Sequence, residues 1–424
     1  MMKTELVIVG GGAAGLAAGA AAAAHGVRTV ILDEAPVPGG RLRGQLHEQP
    51  GAGGRLEWRR GGLEADQLLS DAKAAGVEIL SSTIVWALSP GWRISRVHSG
   101  VEEQDLEAGI VILATGTMQR SLAMHGWTLP GVLAVGAVQS MVNQYRIRPG
   151  KRALVIGVDM LSLTVARQLA LAGVDVAGVV LPPPGDLSGA RAEPVAVLTE
   201  LLRFTPWAPS AWLRLGGQLI AKGGSARLAA TVYPRQGVRV WGVPVFARRA
   251  ALVINGTTAV ESVLLADLTS EGRVVTGSER TEQVDFVCLS GGLSPLAELA
   301  LQAGCRTVYM EELGGYLPLH GPDLQTTISG LLVAGGASGV EGASVAVAQG
   351  RLAGTKAAAL LERLPTRDAD RLLSNALTEV EAARKGSPLQ FHPKAAVARG
   401  RLGAMWKESG GTHNQQRSNA EVSP

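Results

Sequence analysis

Cysteine is nearly absent from this sequence, with Cys288 and Cys305 alone among 424 residues. Two cysteines without CxxC spacing exclude a disulfide framework and a redox dithiol, and no metal site is encoded. An excess of one charge is missing too. Lys and Arg total 40 against 36 for Asp and Glu, so nucleic acid is not a favoured partner. No uninterrupted run of ~18 or more strongly apolar residues suggests a membrane span. The seven histidines are scattered. His47 and His125 are the two near candidate ligand loops, and each reads as a solvated loop residue rather than a catalyst. Catalytic residues therefore stay unassigned. The apolar N-terminus does not read as a signal peptide, because its glycines fall on a nucleotide fingerprint and cleavage would delete the first strand. A cytoplasmic protein is the expectation.

What is present is glycine, 55 residues of it, in a chain that is 46% hydrophobic. Those proportions fit an α/β protein with many tight strand–helix turns. The first forty-one residues hold a complete βαβ pattern. Leu6–Val9 suits a buried strand, Gly10, Gly12 and Gly15 form GxGxxG, and Leu16–Ala24 is a strong helix former. Gly26 closes that helix, Thr29–Leu32 makes a second strand, and Asp33 stands at its end, eighteen residues after Gly15. Gly10 permits the turn, Gly12 lets backbone approach a pyrophosphate, and Gly15 lets helix and strand pack closely. The helix N-terminus, with Ala14 in its first turn, offers free N–H groups to the phosphates. Asp33 is the candidate acceptor for a ribose hydroxyl and Glu34 the runner-up. Gly39, Gly40 and Arg41 are expected to cover the pyrophosphate, with Arg41 a candidate charge partner.

The stretch GQLHEQPGAGGRLEWRRGG reads as a loop over the ligand. A helix over Leu63–Ala75 and a strand over Glu78–Trp86 follow. A β-meander at Trp92–His98 and Gln104–Ala108 leads into the apolar strand Gly109–Ala114, which runs into Ala114–Thr115–Gly116. A second Rossmann-like unit starts near Lys151, but its fingerprint has decayed. Gly157 holds the first glycine position, whereas Asp159 and Ser162 occupy the second and third. A carboxylate where backbone should meet pyrophosphate argues against NAD(P). Further along, Pro194–Arg203 reads as a helix, Trp212–Ala221 as an apolar stretch, and Val284–Leu289 as a strand. A last strand, Gly330–Gly335, leads to a small-residue helix near Ala343 whose N-terminus would face the redox ring of a dinucleotide. Gly335, Gly336, Gly342 and Ala343 would let backbone approach that ring, as would Thr115 and Gly116.

The expected architecture is α/β with two Rossmann-like dinucleotide-binding domains, the second inserted in the first. Residues 1–118 and 283–365 would form the first and 119–282 the second. A C-terminal helix over 366–385 and a basic, disordered tail over 386–424 would follow.

These features resemble the glutathione and thioredoxin reductase-like flavoproteins, here without the redox CxxC. The segments GWTLPGV at Gly126–Val132, VDFVCLSGGLSPLAELALQAGC and ISGLLVAGGASGVEGASVAVAQGRLAG narrow the resemblance. They are similar to the alpha subunits of opine oxidases, cyanide synthase, hydroxyproline dehydrogenase and related heteromeric amino-acid dehydrogenases. The resemblance spans roughly residues 4 to 360. It implies FAD on this chain, and a catalytic beta subunit carrying a second flavin that oxidises the C–N bond of an amino acid, imino acid or opine. A small Fe–S subunit is a further candidate partner. Relatives often carry a four-cysteine extension for a [2Fe–2S] cluster, which this chain lacks, so no Fe–S cluster is expected on it. Their usual acidic residue near the flavin ribityl is Gly336 here, which leaves ATP or ADP as an alternative occupant. Two other readings stay open: an independent NAD(P)H-dependent flavin reductase, and a non-catalytic adenine-nucleotide-binding scaffold.

Overall fold

The computed structural model describes residues 2–50, 56–205, 214–215, 226–387 and 391–411. The chain forms two compact units. The first comprises Met1–Arg43, Gly61–Met118 and Leu293–Pro424, and the second Gly44–Arg60 and Gln119–Gly292. Both are α/β units built on a largely parallel sheet, the arrangement expected from two Rossmann-like patterns.

In the first unit, β1 (Met2–Val9) lies between β2 (Thr29–Leu32) and the strand Val101–Leu113, parallel to both. Glu78–Leu80 pairs with β2, and Leu331–Val333 pairs with the end of Val101–Leu113, again in parallel. Leu6, Val7 and Ile8 are fully buried, as a strand of a parallel sheet covered on both faces must be. Val101–Leu113 is one continuous strand. Its first half pairs antiparallel with Arg93–His98 and its second half continues beside β1. The stretch expected as one strand over Glu78–Trp86 is two, because Ser82 turns the backbone at φ 52°.

Helix α1 (Ala13–Ala23) packs on the helix Ala343–Leu360 through glycine. A Cβ at Gly350 would lie 2.2 Å from the Ala14 carbonyl oxygen, and one at Gly354 2.2 Å from that of Ala18. Four-residue spacing puts both glycines on one helix face, so the two backbones touch along a seam. Helix α2 (Gly61–Ala74) and the helix Thr366–Gly386 complete this layer, the latter burying Ala376 and Val380 in the same core.

The tail expected as disordered from 386 is corrected in part. Ala395–Glu408 is a helix. Its Ala395, Ala398 and Leu402 are buried against Val308, Met310, Leu313, Leu317 and Leu319. Spacing of three and four residues gives this basic segment one apolar stripe, enough to dock it. Residues 412–424 lie outside the described residues, as does most of the apolar stretch Trp212–Ala221.

The second unit is a sheet in the order Val132–Ala134, Phe286–Leu289, Arg152–Ile156, Asp175–Leu181, Val243–Asn255, Ser262–Asp267, Arg280–Gln283. The chain returns to the first unit at Leu293 rather than at 283. The reason is register: Phe286–Leu289 sits between Val132–Ala134 and Arg152–Ile156, parallel to both. A second difference concerns the segment expected as a loop over the ligand. It contains an antiparallel hairpin, Leu46–Pro50 with Leu56–Arg60, that belongs to the second unit. The Arg167 guanidinium stacks 4.5 Å from the Trp58 ring centroid and 5.1 Å from that of Trp241. It also pairs with Glu48 at 2.9 Å, and these contacts hold the hairpin to the helix Met160–Leu171. Among the described residues, no helix is long and apolar enough to cross a membrane.

Candidate functional site

The first fingerprint turn folds as its glycines require. Gly10 has φ +104°, and a Cβ there would lie 2.4 Å from the Ala114 carbonyl oxygen. Gly15 has no room for a side chain either, since its Cβ would overlap the Gly10 carbonyl. Helix α1 then starts at Gly12 with no side chain capping it and no acid in its first turn. Its first N–H groups are left for an external acceptor. A Cβ at Gly12 would meet only the Gly40 Cα, at 3.9 Å, so this backbone is open to approach. The Gly39 N–H donates to the Gly11 carbonyl at 2.7 Å, which lays Gly39 and Gly40 along the turn.

Asp33 is turned inward. It is 6% exposed. Its Oδ2 accepts from the Gly11 N–H, and its Oδ1 from the Ala35 N–H at 2.8 Å. Burial pushes the Asp33 carboxyl above its ordinary pKa, and the two backbone N–H groups pull it back. Its observed work is to shape the fingerprint turn, while Glu34 beside it is exposed. Arg41 donates from Nε and Nη2 to the Thr117 carbonyl at 3.0 and 2.7 Å. Thr115 directs its hydroxyl to the Leu296 carbonyl at 2.7 Å, whereas Gly116 has φ +78° and faces open space.

The last strand and the helix after it meet this rim. A Cβ at Gly335 would lie 2.7 Å from the Ala14 Cβ. At Gly336 it would lie 2.6 Å from the Thr117 Cγ2 and 3.0 Å from the Gly116 carbonyl carbon. A side chain at Gly336 would have to displace the Thr117 methyl and would crowd the Gly116 backbone. The helix Ala343–Leu360 begins at Gly342, φ +106°, again with no side-chain cap. Gly10, Gly12, Ala14, Gly15, Gly40, Gly116, Gly335 and Gly336 are thus linked by close backbone approaches, with Gly342 and Ala343 following on the same segment.

The second fingerprint is different in kind. Asp159 is the N-cap of Met160–Leu171 and forms a capping box with Ser162. Its Oδ1 accepts from the Ser162 N–H at 2.7 Å and its Oδ2 from the Ser290 hydroxyl at 2.6 Å. The protein's own carboxylate fills the place where a phosphate would be held, and its charge repels another anion.

His125 is exposed, and both it and His47 belong to the second unit. Cys288 and Cys305 are buried, and burial pushes both thiols up. Among the described residues, no group of three or more His, Cys, Asp or Glu could hold a metal ion. Sequence reasoning missed Glu341 and Gln349. Gln349 is 1% exposed on a helix whose other buried residues, Thr355 apart, are small or aliphatic. A lone amide on that face, needing buried partners, was the available signal.

Residues 4–183 match the pyridine nucleotide-disulphide oxidoreductase family. The opine oxidase A-subunit of Agrobacterium tumefaciens is 30% identical over 370 residues, covering 85% of this chain and 67% of that protein. Hydrogen cyanide synthase subunit HcnB of Pseudomonas aeruginosa is 26% identical over 389 residues, 91% of this chain and 77% of that protein. Thioredoxin reductase of T. acidophilum shares the fold at a TM-score of 0.58 and 20% identity, covering 85% of this chain and all of that one. The chain belongs to the opine oxidase A-subunit family and is an oxidoreductase.

Proposed function

We propose that the first unit binds FAD and that the chain is the electron-transferring subunit of a heteromeric dehydrogenase or oxidase. The complex would act on the C–N bond of an amino acid, imino acid or opine. The observation that carries this reading is the contrast between helix starts. Gly12 and Gly342 begin two helices without side-chain caps, whereas Asp159 caps its own. One dinucleotide fits the first unit, and NAD(P) is disfavoured in the second.

The residues fit a dinucleotide because the surfaces it would touch are backbone. Gly10, Gly12, Ala14 and Gly15 would hold the pyrophosphate with α1 N–H groups. Glu34, exposed beside the inward-facing Asp33, would accept from the adenine ribose. Gly40 would lie along the phosphates, and Arg41 would fix the Thr117 strand. Thr115, Gly116, Gly335, Gly336, Gly342 and Ala343 would frame the ring, with the Ala343 helix start favouring negative charge there. Bound FAD would supply two-electron redox chemistry at that end. Bond cleavage in the substrate would fall to a partner. That partner would be a catalytic beta subunit with its own flavin, and a small Fe–S subunit would complete the path. The opine oxidase and hydrogen cyanide synthase relatives are each named as one subunit of an enzyme, which supports a multi-subunit setting.

A second reading is favoured by one observation. Gly336 offers no side-chain acceptor for ribityl hydroxyls, so ATP or ADP could occupy the α1 end alone. The test is an absorbance spectrum of the purified chain, with mass identification of the nucleotide released on denaturation. Near-stoichiometric FAD is the expected result. A colourless protein releasing ATP or ADP would overturn it in favour of a scaffold. Reduction by NADH alone would point to the independent flavin reductase.

A further inference from the structure

Beneath the two glycine arms of the candidate site lies a buried polar network that the fingerprint does not account for. Glu341, 9% exposed, precedes the helix start at Gly342. Arg384 grips its carboxylate bidentately, Nε to Oε1 at 3.0 Å and Nη2 to Oε2 at 2.9 Å. Arg399 donates to Oε1 from the helix Ala395–Glu408. Gln349 Nε2 donates to Oε2 at 3.1 Å. The same amide, through its Oε1, accepts the Gly335 N–H at 2.8 Å. One carboxylate therefore ties together the Gly335–Gly336 arm, the Gly342–Ala343 arm and both C-terminal helices.

We propose that Glu341, held by Arg384 and Arg399, is a positioning residue for the dinucleotide's ring end. Through it, the C-terminal helices clamp both glycine arms in their ligand-facing geometry. Structural economy alone does not explain the arrangement. Two guanidiniums and an amide converge on one buried carboxylate, when an apolar contact would dock the helices at lower desolvation cost. Charge-assisted, bidentate bonding fixes direction as well as distance, which is what a backbone arm without side chains needs. The inference rests on the first unit binding a dinucleotide.

The test uses the full chain and two variants, Glu341→Gln and Arg399→Ala, with Arg399→Lys as the conservative control. Hydrogen exchange of amides 335–346 in the cofactor-free protein should accelerate about tenfold in both variants, without matching change at β1 or β2. The FAD dissociation constant, read by flavin fluorescence, should rise about tenfold and recover in part with Arg399→Lys. Unchanged exchange at 335–346 together with unchanged FAD affinity, even with a lower Tm, would overturn the clamp. If Glu341→Gln does not fold, Arg399→Ala decides by the same readouts. Wild-type protein that takes up no FAD would refute the flavin reading, and the exchange measurement would still decide the clamp.

Discussion

Replacing Gly350 with alanine tests the helix seam beneath the site, because ordinary propensity and packing predict opposite signs. On propensity, Gly→Ala inside a helix stabilises by about 1 kcal/mol. Packing opposes it. The added Cβ would stand 2.2 Å from the Ala14 carbonyl oxygen and 2.9 Å from its carbonyl carbon. An ordinary C···O contact is about 3.3 Å or longer, so the overlap is about 1 Å. The opposing atoms are helix backbone and cannot rotate away. Forcing extra volume into a packed core costs about 1–3 kcal/mol, and a backbone clash belongs at the upper end. The expected net effect is a loss of about 2 kcal/mol, read by denaturant unfolding of the full chain. Gly400→Ala is the internal control. It sits in the helix Ala395–Glu408 with nothing within 4 Å of its Cβ position, so the same substitution should stabilise by about 0.5–1 kcal/mol. A neutral or stabilising Gly350→Ala would refute the seam. Ala14 also belongs to the first turn of α1, so Gly350→Ala should weaken nucleotide binding while Gly400→Ala leaves it alone.

Further outcomes follow from three polar side chains, His320, Asp33 and Glu34. His320 lies with Nδ1 2.8 Å from the Gly321 carbonyl and Nε2 3.3 Å from that of Ser338, and burial holds its pKa below the ordinary 6.5. Because the folded value is the lower one, its stability contribution is present above the unfolded pKa and is lost as pH falls through the folded one. Urea midpoints should therefore fall between pH 7 and 5, and His320→Gln should flatten that slope; an unchanged slope would place the titration elsewhere. Asp33 and Glu34 separate by state. Asp33→Asn should destabilise the ligand-free chain by about 1–3 kcal/mol by leaving one backbone N–H of the turn unsatisfied. Glu34→Gln should leave ligand-free stability unchanged and weaken nucleotide affinity, and the reverse pattern in paired Tm and titration measurements would reassign the ribose acceptor.

The sequence by itself determined whatever depends on neighbours in the chain. Gly10, Gly12 and Gly15 were legible because a positive φ, an open backbone and a helix–strand contact each exclude a Cβ for local reasons. Asp159 was legible as damage to the second fingerprint because one side chain at a known spacing alters the whole anion site. Tertiary structure decided what depends on distant partners. The strand pair Leu46–Pro50 and Leu56–Arg60 was hidden by glycine-rich composition, and Arg167 stacking on Trp58 and Trp241 ties that hairpin to the second unit. The helix at Ala395 looked like solvated tail until Val308, Met310 and Leu317 gave its stripe a surface to cover. Asp33 stood at the right spacing for a ribose, and only the fold shows that its carboxylate also accepts from the Gly11 and Ala35 N–H groups. Glu341 meets Arg384 and Arg399 across 43 and 58 residues of chain. Spacing along a sequence carries no information about that meeting, because a charge pair becomes specific only where burial removes water and leaves one geometry that satisfies every partner.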